Sequence, residues 1–481
     1  MKFLVLILGC LSLPAFASEE QIRDPYGFVC GKSAEAQGDA VAREKLANEF
    51  IDAARLDYAA TRGRASLSEK SDPLVKLRIE IAKALAFKVK FDSLEAIRAN
   101  WKQLQGLAQA VDSWLVYAAV MEDSIIRRMN EKRQSRGMSP FGSRDLAALI
   151  SETKEQLKTV IREEPGWSEQ QKKQAIAEFE NVEPLTASRV RAIPLKPERL
   201  LLAMTLLNGC GPNGEVHRAF TVTPVTGPKM IKDKKGDLQQ FMGHTRPVMV
   251  VCARYITEQS DFPDLAASLR LGIAHQLAHQ LSSYVRDPAQ GFLDSTGTVV
   301  HRDLSSHYSA LHACISKHES DFADPRRRVS DLRKRASDGE GSKVAPLEAM
   351  MASAEADAIE HRLSDMKQIL GHEPSAYEAH QGEIEADYWS FRLLGHFLKG
   401  STEQARAAVR QGLSRFCGAH DEGFYPAPKF RIEMAFQDEA LASRIGYKPP
   451  TRCWMSGTTP KTGVTKPGER KQTTTDLPVA N

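Results

Sequence analysis

The sequence predicts a mainly helical chain of the α+β kind with one small sheet. Three observations lead there. Apolar residues recur at three- and four-residue steps through much of residues 38–207, most cleanly at Leu74, Leu77, Ile81 and Leu85. Two later runs, 219–225 and 247–256, are β-branched and apolar in the manner of strands. Two more helical patterns, one through Leu265, Leu269, Ile273 and Leu277 and one over 377–399, carry histidines or acids at four-residue spacing.

The chain opens with Met1-Lys2, an apolar run over 3–13, and Ala15-Phe16-Ala17 before Ser18. A short basic start, an apolar core and an A-x-A site make residues 1–17 a signal peptide cleaved after Ala17. A lipoprotein reading at Cys10 leaves too short an apolar core before the cysteine. No later run reaches about 18 apolar residues, so no transmembrane helix is expected. The mature chain is expected to be exported, to the periplasm or the medium. Removing the signal takes Cys10 and leaves six cysteines: Cys30, Cys210, Cys252, Cys314, Cys417 and Cys453. An even number in an exported chain suggests three disulfides. Six buried thiols, the other reading, suit an oxidising compartment poorly.

Residues 18–207 read as a helical domain, with a second apolar-rich helix over 107–129. Breaks fall at Gly63, 71–73, 137–142 and 164–166. The first helix over 73–91 has an uncertain end, because 87–91 alternates apolar and basic residues. A turn cluster at 208–214 opens a second domain, 208–454. In it Asp261-Phe262-Pro263-Asp264 is a helix start. A charged stretch at 321–343 reads as an exposed insertion, and Gly400 ends the helix over 377–399. The tail 455–481 has no apolar periodicity and is expected to be disordered. Lys and Arg number 65 against 61 Asp and Glu, a net charge of +4 that does not argue for a nucleic-acid partner. The basic run 326–335 is interleaved with acids and reads as a solvated helix face.

The chemistry concentrates in His275-Gln276-Leu277-Ala278-His279. Histidines at i and i+4 project from one helix face and can grip one metal ion. This is the H-E-x-x-H pattern with its glutamate replaced. Gln276 keeps the shape of the general base but cannot accept the proton of a metal-bound water. A third ligand is offered by Gly382-Glu383-Ile384-Glu385-Ala386-Asp387, where Glu383 and Asp387 share a face at i and i+4. Glu383 would bind the metal, and Asp387 would orient a ligand histidine. Glu385 lies on another face and is a poor substitute base. His301, His307, His312 and His318 are irregularly spaced and read as surface or satisfied core residues. Met350-Met351 reads as packing.

Together these segments resemble the neprilysin and endothelin-converting-enzyme family of zinc metallopeptidases. Asp24-Pro25-Tyr26-Gly27-Phe28-Val29-Cys30-Gly31 resembles the family's N-terminal cysteine segment. Residues 272–279 resemble its zinc helix, and 382–387 its G-E-x-x-A-D motif. Phe416-Cys417-Gly418 and Pro428-Lys429-Phe430-Arg431-Ile432 resemble its substrate-pocket region. Cys453-Trp454 stands near its terminal C-x-x-W, at a different spacing. The segments are collinear, and the match is good over 201–454 and thin before it. The resemblance implies a two-lobed fold with a cleft between a helical lobe and a metallopeptidase-like lobe. It implies zinc on His275, His279 and Glu383, with Asp387 behind them. It implies that Arg431 holds a substrate carbonyl or carboxylate. It also implies that the strand at 219–225, with Ala219, pairs with an extended peptide. The implied disulfides are Cys30–Cys417 and Cys314–Cys453, which leaves Cys210 with Cys252.

Four residues depart from the family pattern, and all fall on the chemistry. Gln276 replaces the base. Arg218 stands where an asparagine clamps the peptide. Ser282 stands where an aspartate supports the second histidine. Tyr425 stands where a histidine stabilises the transition state. Loss of a positioned base costs about 10²–10⁴ in rate. Loss of a transition-state donor costs about 10²–10³ more. The sequence therefore points to a zinc-binding, catalytically inactive or severely impaired relative, a pseudoenzyme that binds peptides or a partner protein in the cleft. A working zinc endopeptidase or oligopeptidase with another base is the alternative. A metal-free structural envelope protein is a third, less suited to a chain that keeps all three ligands.

Overall fold

The computed structural model describes residues 22, 24–31, 33–62, 72–89, 94–164, 167–180, 182–210, 221–223, 230–232, 238–240, 248–250, 252–262, 264–281, 292–293, 299–300, 308–315, 324–339, parts of 352–367, 371–417 and 426–448. The chain is mainly helical. The earlier helices are α1 (Pro25–Cys30), α2 (Ser33–Thr61), α3 (Pro73–Ala86), α4 (Leu94–Ala99), α5 (Gln105–Ser135), α6 (Ser143–Arg162), α7 (Glu169–Glu180), α8 (Ala187–Arg191) and α9 (Pro197–Cys210). The later ones are α10 (Ala253–Glu258), α11 (Leu265–Ala278), α12 (Ser309–Ile315), α13 (Pro325–Gly339), α14 (Ala376–Phe397), α15 (Thr402–Leu413), α16 (Pro428–Ala435) and α17 (Glu439–Arg444). Strands β1 (Glu183–Leu185), β2 (Thr221–Thr223) and β5 (Val248–Val250) form a sheet ordered β1-β5-β2, with β1 parallel and β2 antiparallel to β5. Strands β3 (Met230–Lys232) and β4 (Leu238–Gln240) pair with each other, as do β6 (Phe292–Leu293) and β7 (Val299–Val300).

Local chemistry sets the helices that matter for the site. On α5, Leu107, Val111, Trp114, Leu115, Ile125 and Met129 form a buried stripe. The helix ends at Gly137, whose φ of 72° suits a residue without Cβ. Buried Arg133 then donates to the carbonyls of Ser139, Ser260 and Phe262 at 2.7–2.8 Å, which ties this end to the start of α11. Asp264 caps α11 by accepting from the Ala267 N–H at 2.9 Å. Ser375 and Glu378 form a capping box at the start of α14, and Gly400, at φ 86°, follows its end.

One buried apolar cluster takes in Leu115 of α5, Ile273 of α11 and Trp389 of α14, so helices before and after residue 207 share it. Helices α11 and α14 pack side by side at its centre. The Cys30–Cys417 and Cys210–Cys252 disulfides are present, and Cys314 is also disulfide-bonded. Cys453, its expected partner, lies outside the described residues. So do the expected signal peptide and the tail 455–481. Among the described residues no helix is long and apolar enough to cross a membrane.

Several expectations need correction. The run 247–256 is a strand only over β5; from Ala253 it is helix α10. Its β-branched residues bury against the core, and Arg254 donates to Glu258 one turn on at 3.0 Å, a helical pairing that overrides strand propensity. Residues 38–207 are helical almost throughout, as the pattern predicts, with one strand among the described residues that the pattern does not show. They contain β1, whose central Pro184 hides it, and β1 lies at the sheet edge, where proline is tolerated. Residues 208–210 of the expected turn cluster are instead the end of α9, which continues to Cys210, and 211–214 lie outside the described residues. The stretch 321–343 is not merely an exposed insertion. Helix α13 buries Val329 and Leu332 in a second small core with Ala352, Ala356, Ile359, Leu363 and Ala379.

Glu122 of α5 carries the clearest pH dependence outside the site. Its side chain is half-buried as a whole, yet Oε2 has neither solvent nor a hydrogen-bond partner. Burial, with Asp123 beside it, pushes the carboxyl up to about 7, against the pull of the Ser188 and Ala187 backbone. A raised carboxyl pKa means that the folded state holds the proton more tightly. Its stabilising effect is complete below the unfolded value of 4.5 and is lost as pH rises through about 7. The loss is on the order of 3 kcal/mol. Glu122→Gln should therefore raise the melting temperature at pH 8 relative to the parent and leave it nearly unchanged at pH 4.5, as checked by thermal melts across that range.

Candidate metal centre

The site is built by two helices. On α11, His275 is the last-turn residue and His279 the C-cap, with φ −57° and ψ −26° and its N–H on the His275 carbonyl. Helical spacing thus persists through His279, although the chain tightens to a 3-10 turn over 279–281. The two rings lie 4.7 Å apart at 83°. Helix α14 brings Glu383 across. One Glu383 oxygen, Oε2, lies 3.2 Å from His275 Nε2 and 3.4 Å from His279 Nε2. The ligand atoms of all three residues fall within 4.8 Å of one another. A tetrahedral zinc with bonds of about 2.0–2.1 Å sets its ligand atoms about 3.3–3.4 Å apart. Both separations from Glu383 Oε2 lie close to that edge, so the residues fit the ion.

Electrostatics favour a cation at this point. Asp387, with no exposed surface, lies 2.8 Å from His275 Nδ1, an approach short in distance but bent in angle. On its other side Asp387 accepts from Arg431 Nε and Nη2, both at 2.6 Å. Burial alone would raise the Asp387 carboxyl; the Arg431 charge and His275 outweigh it and bring it down to about 2. Burial likewise works against ionised Glu383, but His279 and His275 hold its carboxyl well below the usual range. Both acids are thus charged. Arg431 balances only one of them, and His275 stands between two carboxylates. A neutral imidazole has one N–H to offer. With that proton on Nδ1, the Nε2 lone pair facing Glu383 is repulsive unless the ring is protonated or a cation lies between. Gln276, also buried on α11, adds no charge.

The structure brings together five of the predicted site positions, His275, His279, Glu383, Asp387 and Arg431, and Gln276 is buried beside His275 on α11. Arg431 is itself buried, and its fork is engaged with Asp387, a contact that the resemblance to a substrate-holding arginine does not suggest. Among the described residues, strand β2 covers 221–223 of the expected 219–225 strand and is an outer strand of its sheet. Arg218, Ala219, Ser282 and Tyr425 lie outside the described residues, as do His301, His307, His318 and Met350-Met351. His312 is a satisfied, mostly buried residue: Nε2 lies 3.0 Å from fully buried Glu385, and its ring stacks on Tyr308. Glu385 is thus committed to a partner on the side of α14 away from Glu383. Scans of protein-family models, curated proteins and solved structures find no match to this chain.

Removing Arg431 should be severe, because it leaves Asp387 as an uncompensated buried charge. Arg431→Met should lose about 3–5 kcal/mol of stability in urea denaturation. Lys429→Ala, which removes an exposed ion pair to Glu433 at 3.8 Å, should change it by less than about 0.5 kcal/mol.

Proposed function

We propose that this chain is an exported, zinc-binding relative of the neprilysin-type metallopeptidases that has lost most or all peptidase activity. It holds a peptide or partner protein in a cleft between two lobes, along the strand at 219–225. The observation that carries the reading is the convergence of His275, His279 and Glu383 on one point, with Gln276 in the position of the base. The fit of the ligand spacing to a tetrahedral ion supports zinc, and the disulfides support an oxidising compartment.

Zinc bound here would polarise a water or a peptide carbonyl. The chain's own residues then decide the outcome. His275, His279 and Glu383 would hold the metal, while Asp387, itself fixed by Arg431, sets the plane of the His275 ring. Gln276 can donate or accept a hydrogen bond to a water but cannot take up its proton. Binding would survive this change, and hydrolysis would be lost or severely impaired.

Two measurements test the reading. Metal analysis should find zinc in the purified parent and little in His279→Ala; equal zinc in both would sink the ligand assignment. A quenched peptide library should show no chelator-sensitive cleavage by the parent and slow cleavage by Gln276→Glu. Adding Arg218→Asn and Tyr425→His should increase the rate by more than the product of the separate effects, since these groups act on one transition state. Robust, chelator-sensitive cleavage by the parent would favour a working endopeptidase instead.

A further inference from the structure

The groups that position the metal ligands do not end at Arg431. The guanidinium carbon of Arg431 lies 4.2 Å from the centroid of the Phe416 ring, so one face of the arginine is covered by an aromatic plane. Phe416 is itself wedged edge-on against Phe391 of α14, with centroids 6.1 Å apart, and is nearly inaccessible to solvent. It is the last residue of a 3-10 turn, Ser414–Phe416, and the next residue is Cys417. Cys417 is bonded to Cys30, the last residue of α1. Helix α1 packs on α15 and on α16, the helix that carries Arg431. Phe28 of α1 contributes to both contacts: Arg410 of α15 stacks over its ring at 4.3 Å, and its ring meets Phe436, the C-cap of α16, at 5.8 Å.

We propose that Phe416, held in place by the Cys30–Cys417 bridge, is a positioning residue for the metal centre, acting through Arg431 and Asp387 on His275. The inference rests on the zinc reading above and extends it to a residue outside the ligand set. The physical argument has three steps. An aromatic face over a guanidinium attracts it and keeps water from that face. The remaining edge of the fork is then directed at Asp387, where both short bonds form. A carboxylate fixed in this way holds the imidazole plane, and groups that orient a ligand from behind typically govern metal affinity by about 10–100-fold. The bridge matters because the turn that carries Phe416 is only three residues long. Cross-linking it to α1 anchors that turn to the helix packed against α15 and α16. The N-terminal segment is thereby part of the support of a site whose ligands lie about 250 to 350 residues later in sequence.

The test measures zinc affinity and stability separately, on the full chain, by competition with a chromophoric chelator and by thermal melts. Phe416→Leu, which keeps bulk but loses the ring face, should weaken zinc binding about tenfold. The double variant Cys30→Ser/Cys417→Ser should do the same. Phe416→Tyr, which keeps the ring, should stay within about twofold of the parent. Two controls lower stability elsewhere: Leu115→Ala, a core truncation in α5, and Cys210→Ser/Cys252→Ser. Both should leave zinc affinity unchanged at temperatures where they are folded. Unchanged affinity in folded Phe416→Leu would overturn the inference while leaving the metal centre intact. A loss of affinity that tracks lost stability across all the variants, controls included, would also overturn it. A parent that binds no zinc would overturn the metal reading, and this inference with it.

Discussion

Asp387 is a carboxylate with no exposed surface, placed between the fork of Arg431 and the imidazole of His275. An isolated charge at that depth is too costly to keep. Its existence requires that α16 bring Arg431 to α14 and that α11 lie against α14 with His275 at the contact. The packing of these three helices and the geometry of the metal ligands are therefore one constraint. The same helical face of α14 that presents Asp387 to Arg431 presents Glu383, one turn earlier, to both histidines.

This coupling separates two things that a peptidase normally joins. Ligand geometry depends on buried ion pairs and helix packing, and the three candidate ligands, Asp387 and Arg431 are all present. Proton transfer depends on one carboxylate beside the first histidine, and there the chain has Gln276. An amide in place of the base removes a charge from a cluster that already holds two ionised acids against one arginine. On the function proposed above, the amide would leave the candidate metal centre no less stable while removing the proton acceptor. A protein that uses the metal to hold or shape a ligand has no need of the base.

Much of the site was legible because its ligands obey local rules. His275 with His279, and Glu383 with Asp387, are each four residues apart on strongly helical patterns, and four-residue spacing places them on one face without any tertiary information. The long helices α5 and α14 were legible for the same reason. What was not legible depends on partners distant in sequence. The bond from Arg431 to Asp387 spans 44 residues and the Phe416 contact is set by a bridge to Cys30, so neither leaves a periodic trace. Strand β1 carries a proline, and α10 is rich in strand-forming residues; each takes its conformation from its neighbours in the fold rather than from its own propensities. The second small core under α13 was hidden by the charges on its solvent face.

The central claim is that His275, His279 and Glu383 hold one metal ion in a chain that keeps Gln276 beside it. Anomalous diffraction at the zinc edge, from crystals of the parent protein grown with zinc at near-stoichiometric concentration, addresses it most directly. The account predicts one strong peak bounded by His275 Nε2, His279 Nε2 and a Glu383 oxygen, with Asp387 still on Arg431 and His275. No peak there, with Glu383 bonded directly to a protonated histidine, would contradict it.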